Sequence, residues 1–180
     1  MAINWFPGHM NRARNQIEEA MPDIDLVVEV LDSRLPYSST NPLVDELRVG
    51  KPCIKVLNKA DLSDSKITRL WIEHFEKQEN THALALVAED HKQSQKLIQL
   101  IKDIVDQSED KKTNIRVMIM GIPNVGKSTL INSLAGRYIA NTGDEPAVTK
   151  RQQMIDLKNG VVLSDTPGIL WPKFENFHSG

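Results

Sequence analysis

Cysteine is almost missing from this chain: Cys53 is the only one among 180 residues, so no disulfide can form within it. A single thiol inside an apolar run reads as core, in a protein of a reducing compartment. Charge of either sign is not in excess, since 22 Lys and Arg face 24 Asp and Glu for a formal net charge of -2. That balance excludes strong global attraction to nucleic acid or to an anionic membrane. Arg12, Arg14, Lys111, Lys112, Lys150 and Arg151 are then read as solvated surface, a local basic patch being the alternative. No window approaches 18 consecutive apolar residues, and no basic stretch followed by an apolar one opens the chain. Neither a membrane span nor a signal peptide is expected, and the expected location is the cytoplasm. His74, His82, His91 and His178 show no metal-ligand spacing together, so no transition-metal site is expected.

What is present is an alternation of apolar runs of strand length with segments of helical period. Strands are expected at Leu26–Leu31, Cys53–Leu57, Ala83–Val87, Ile115–Met120, Gln153–Leu157 and Val161–Leu163. Helices are expected near Met10–Ala20, Pro42–Leu47, Lys66–Lys77, Gln93–Val105 and Lys127–Leu134. Such alternation is the mark of βαβ units around a mostly parallel sheet. Ile67, Leu70, Trp71 and Phe75 form an apolar helical stripe, expected to pack in the core. The run Gln107 to Asn114 (QSEDKKTN) is the best linker, with no apolar residue.

Gly121 to Ser128 satisfies G-x-x-x-x-G-K-[ST] between a strand and a helix, the context a phosphate-binding loop requires. Such a loop meets phosphate with backbone N–H groups at a helix N-terminus, where glycine allows close approach. Asn124, Val125, Gly126 and Thr129 are expected to contribute backbone contacts, Lys127 to reach the β- and γ-phosphates, and Ser128 to ligate Mg²⁺. Asn58-Lys59-Ala60-Asp61 is weak alone but selects the base once paired with that loop. The Asp61 carboxylate can only accept, matching the N1–H and N2 amine of guanine and not adenine. Asn58 is expected at the base N7 edge and neighbouring backbone, and the Lys59 stem along purine and sugar. Asp165-Thr166-Pro167-Gly168 follows an apolar run, placing Asp165 near the metal and the Gly168 N–H near a γ-phosphate. In the turn-rich stretch Asn141 to Arg151, Thr149 is a hydroxyl candidate for Mg²⁺ or an ordinary loop threonine.

The order of these motifs is reversed, with base selection ahead of the phosphate loop. Together with Trp5-Phe6-Pro7-Gly8-His9-Met10, Asp32-Ser33-Arg34 and Asp165 to Trp171, the chain resembles the circularly permuted GTPases of the YlqF/RbgA type. The resemblance implies a three-layer Ras-like P-loop GTPase fold of class α/β, circularly permuted, with a mostly parallel sheet. It implies one GTPase domain over 1–180: a base-recognition half at 1–106, a linker at 107–114 and a phosphate-loop and switch half at 115–180. The family's further C-terminal helical domain is expected to be absent. The implied function is hydrolysis of GTP to GDP in assembly of the large ribosomal subunit, with ribosomal RNA and proteins as partners. The chain is expected as a monomer that meets neither DNA nor membrane. A nucleotide-gated RNA or protein adaptor with negligible turnover is the alternative.

Val87 and Ala88 occupy the family's Ser-Ala-like positions near guanine O6, so a hydroxyl brace for Asp61 is lost while the Ala88 N–H remains. Where many GTPases place a water-orienting Gln, this chain has Ile169, so intrinsic hydrolysis is expected to be slow. His9, in the N-terminal loop, is the family's candidate for positioning water, with a structural or partner-contact role as the other reading. Asn124 is a possible K⁺ ligand by the same resemblance. Asp32 and Arg34 read as an ion pair at the strand end or as a functional contact.

Overall fold

The computed structural model describes residues 7–107, 113–122, 124–136 and 153–165, with side chains from residue 11 onward except at Gln153. One six-stranded sheet is built from β1 (Leu26–Asp32), β2 (Cys53–Asn58), β3 (Thr81–Ala85), β4 (Ile115–Met120), β5 (Gln153–Asp156) and β6 (Val161–Asp165). Its order is β3-β2-β1-β4-β6-β5, and every neighbouring pair is parallel except β5 with β6. β1 and β4 lie side by side at the centre although 82 residues separate the end of one from the start of the other in sequence. The first three strands extend the sheet on one side of β4 and the last two on the other, so the strand that feeds the phosphate-loop motif is central in space although it is fourth in the chain.

Helices cover both faces, which gives three layers. Leu97, Ile98, Ile101 and Val105 of α5 (His91–Asp106) and Leu130, Ile131 and Leu134 of α6 (Lys127–Ala135) pack on Val28, Val30, Val56, Val117 and Ile119. The opposite face carries Ile17 of α1 (Pro7–Ala20) and Val44 and Leu47 of α3 (Pro42–Leu47), set against Val27, Cys53 and Met118. Further along that face, Phe75 of α4 (Ser65–Glu76) packs on Leu31, Leu57 and Ala83. A four-residue helix, α2 (Pro36–Ser39), joins β1 to α3. Cys53 is fully buried, as its apolar run indicates, and burial pushes its thiol up to about 12.

Three expectations are corrected. The third strand starts at Thr81 rather than Ala83 and ends at Ala85, because Leu86 and Val87 turn toward the cap of α5. His9 lies in the first turn of α1 rather than in a loop. The apolar stripe of α4 divides: Phe75 is buried, whereas Ile67 and Leu70 are 51% and 60% exposed, because the sheet reaches only one edge of the helix. Within the linker, residues 108–112 lie outside the described residues.

Candidate functional site

In a parallel sheet, ligands bind beyond the carboxyl ends of the strands, where the strand order reverses. Here the ends of β1, β2, β3, β4 and β6 bring Asp32, Asn58, the 86–88 turn, the phosphate loop and Asp165 to one edge. The loop leaves β4 at Gly121, where an added Cβ would lie 3.1 Å from the Val30 carbonyl oxygen, so the backbone passes close beneath β1. Gly126 has φ +91°, and an added Cβ would fall 2.2 Å from Asn58 Nδ2. Only glycine meets both conditions. α6 starts at the next residue with no side chain capping it, which leaves its N-terminal dipole facing the site.

Asn58, 1% exposed, joins three segments. Its Nδ2 donates to the Val125 carbonyl at 2.8 Å, and its Oδ1 accepts from the Ala88 N–H at 2.9 Å. An amide carries two N–H donors, so one remains for a base. The Ala88 N–H, expected to serve guanine O6, is held by Asn58 in this structure. Lys59 has φ +60°, and its Nζ donates to the Asn124 carbonyl at 3.0 Å, with Asn124 itself at φ +70°. Its stem therefore runs from β2 to the phosphate loop. Ala60 opens a short 3-10 turn, and the Asp61 carboxylate is exposed there, which leaves an acceptor open at the mouth of the site.

The turn after β3 is braced by residues that composition and motif did not single out. Val87 N–H donates to Gln93 Oε1 at 3.0 Å, and Gln93 Nε2 donates to Asp90 Oδ2 at 2.9 Å. Ser94 Oγ donates to the Ala88 carbonyl at 3.2 Å, and Ser133 Oγ of α6 donates to Ser94 Oγ at 3.0 Å. These bonds fix the backbone of the turn and do not reach Asp61. The signal was present as a cap and partner three residues apart, Asp90 and Gln93, a variant of the capping box.

On the phosphate side, Lys127 Nζ lies 2.9 Å from Asp165 Oδ1, both side chains nearly buried. The contact is an ion pair without hydrogen-bond alignment, so this buried oxygen keeps unused acceptor capacity. Ser128 and Thr129 sit half-buried in the first turn of α6. A carboxylate and a hydroxyl are the hard oxygen donors that Mg²⁺ takes. Thr149, Gly168 and Ile169 lie outside the described residues, as does the side chain of His9.

Asp32 is chelated by Arg34: Oδ1 accepts from the Arg34 backbone N–H and from Nε, each at 3.0 Å, and Oδ2 from Nη2 at 2.7 Å. The ion-pair reading of these two residues therefore holds. Hydrogen bonds from the Arg34 side chain, above all, draw the Asp32 carboxyl down to about 2.

A phosphate-loop motif, the Asn58-Lys59-Ala60-Asp61 tetrapeptide placed beside it and a mostly parallel six-stranded sheet define a P-loop GTPase fold in circularly permuted form. A family model described as 50S ribosome-binding GTPase matches residues 116–179. Ribosome biogenesis GTPase A of Priestia megaterium (strain DSM 319 / IMG 1521) is 47% identical over 184 residues, covering 98% of this chain and 64% of that protein. The Thermotoga maritima protein of the same name is 39% identical over 169 residues, covering 94% of this chain and 60% of that one. The crystal structure of GNP-bound YlqF from T. maritima superposes with a TM-score of 0.63 at 33% identity, covering 91% of this chain and 60% of that one. Over nearly its whole length the chain is similar to GTPases of the YlqF/RbgA type. It spans less than two thirds of the length of these relatives.

Proposed function

We propose that this chain binds guanine nucleotide, hydrolyses GTP to GDP and phosphate, and serves as the nucleotide-controlled part of a large-subunit assembly factor. The observation that carries the reading is the joint between base and phosphate motifs. Asn58 and Lys59 bond directly to Val125 and Asn124, while Asp61 and the N-terminus of α6 face the same edge. The names of the relatives support the ribosomal role.

Lys127 is held against Asp165 and is set to turn to the β- and γ-phosphates when they arrive. Asp61 accepts from guanine, and the freed Asp165 carboxylate with the Ser128 hydroxyl would hold Mg²⁺, with Thr149 as a further ligand. When bound, the ion neutralises charge developing on the phosphates. Gly168 sits in the segment proposed to sense the γ-phosphate. His9 is the residue proposed to position water, Ile169 being unable to do so, and Asn124 is proposed to help hold K⁺. The N-terminal end of the chain and the phosphate-loop half thus contribute to one reaction, in the cytoplasm, by a monomer.

GTP turnover measured with and without isolated large ribosomal subunits, in K⁺ and in Na⁺ buffers, tests this. Turnover is expected to be slow alone, faster with subunits and fastest in K⁺. Equal, near-zero rates in all four conditions would leave a nucleotide-gated adaptor in place of an enzyme. With GTP binding retained, His9→Ala is expected to slow the stimulated rate.

A further inference from the structure

Asp32 is nearly buried and lies outside both motifs that read nucleotide, and its place between two cations, one of them Lys59 of the base motif, gives it a task. Its Oδ2 receives Arg34 Nη2 and also lies 3.6 Å from Lys59 Nζ, the same ammonium that donates to the Asn124 carbonyl at 3.0 Å. The turn is sewn to β2 as well, since the Ser33 N–H donates to the Asn58 carbonyl at 2.8 Å.

We infer that Asp32 is a positioning residue for the nucleotide, acting through Lys59 on the phosphate loop. Lysine has a long stem and a compact charge free to swing, and it loses much rotamer freedom when fixed. Lys59 also starts from a left-handed backbone, φ +60°, which a non-glycine residue seldom adopts. Two fixed acceptors decide where its ammonium goes: the Asp32 carboxylate on one side and the Asn124 carbonyl on the other. The stem is thereby stretched from β2 to the loop before any ligand arrives. Asn124 is also left-handed, at φ +70°, so the lysine braces a strained position in the loop that must receive phosphate. Remove the carboxylate and the ammonium has no anchor at the strand side. It is then free to leave the Asn124 carbonyl, and ordering both falls on the binding step.

Arg34 separates this role from simple bracing of the turn. It closes a ring with Asp32 but, among the described residues, makes no hydrogen bond or ion pair with Lys59 or the phosphate loop, and its side chain is 47% exposed. Removal of its side chain leaves Asp32 with Lys59 and with the backbone N–H of residue 34.

The inference rests on the guanine-nucleotide reading, and release of fluorescent GDP separates the two. If the unmodified protein does not bind GDP at all, that reading fails. If it binds, Asp32→Asn is expected to release GDP about tenfold faster, the scale of one charge-assisted contact. Lys59→Met should show a loss of the same order, the double variant should be no worse than either, and Arg34→Ala should stay within about twofold of the unmodified protein. An unchanged Asp32→Asn, losses that multiply in the double variant, or an Arg34→Ala that reproduces Asp32→Asn would each overturn the inference. If Asp32→Asn does not fold, the cost of Lys59→Met is compared in unmodified and Arg34→Ala backgrounds. It should be at least as large in the second, and a smaller cost there overturns the inference.

Discussion

At the scale of single residues, the site is held by positions with no tolerance for substitution. Gly126 combines φ +91° with an approach of 2.2 Å between a would-be Cβ and Asn58 Nδ2. Gly126→Ala therefore has to pay for the left-handed backbone, about 1–2 kcal/mol, and to push Asn58 off the Val125 carbonyl and the Ala88 N–H. The expected outcome is a loss of roughly 2–4 kcal/mol in urea unfolding with GDP affinity down by more than tenfold. A variant within 0.5 kcal/mol that keeps its affinity would mean that Asn58 is not the joint between base and phosphate segments. This residue-level detail was only half legible in sequence. The glycine and asparagine stood out by motif, but their contact joins residues 67 positions apart in the hydrogen bond to Val125, and only the fold brings them together. Gln93 and Ser94 went unnoticed for the same reason: their local pattern announces a helix start, and their second function appears only when the turn at 86–88 is packed against them.

At the scale of elements, the central strands β1 and β2 were legible because they are buried on both faces and read as near-continuous apolar runs. β1 is buried throughout, with Glu29 in the middle of it. Glu29 faces Lys55 across the β1–β2 register, both fully buried, and the two form an ion pair. Glu29 Oε1 also accepts from the Asn41 N–H at 2.8 Å, and Lys55 Nζ lies 3.5 Å from Asp45 Oδ1, so the pair fastens the α3 segment to the sheet. Burial pushes the Glu29 carboxyl up; for Lys55 burial pulls the other way, but the neighbouring charges of Glu29, Cys53 and Asp45 with the Glu29 hydrogen bond together raise it. Breaking such a pair from one side strands a buried charge, which costs about 3–5 kcal/mol, whereas removing both charges is often neutral. Lys55→Met is therefore expected to lose about that much in urea unfolding. Glu29→Gln with Lys55→Met should recover more than half of it, since Gln keeps the acceptor for Asn41. A double variant as unstable as the single one would show that the pair contributes net stability. Periodicity misled where an element is only partly covered. The α4 stripe repeats at helical spacing, yet a helix beside a sheet edge buries Phe75 and leaves Ile67 and Leu70 in solvent.

At the scale of the whole molecule, the site belongs to neither half of the chain. Lys59 and Asp61 stand in the turn after β2, in the first half, and Lys127 and Asp165 on elements from the second, and β1 against β4 is where the halves meet. A ligand that touches both must stabilise the molecule as a unit. GDP at about 100 times its dissociation constant should add about 2.7 kcal/mol. For a chain of this size that raises Tm by roughly 5–10 °C. Asp61 makes the sharpest test because its exposed carboxylate has little structural duty. Asp61→Asn should leave the Tm without nucleotide unchanged and remove the rise given by GDP at the same concentration. The amide presents a donor to the C2 position, where guanine also has a donor and xanthine has a carbonyl, so XDP should restore the rise that GDP no longer gives. Scanning calorimetry on both proteins with GDP, XDP and no nucleotide decides it. If GDP stabilises Asp61→Asn as well as it does the unmodified protein, the base is read elsewhere. If neither protein responds to any nucleotide, the joint between the halves is structural alone.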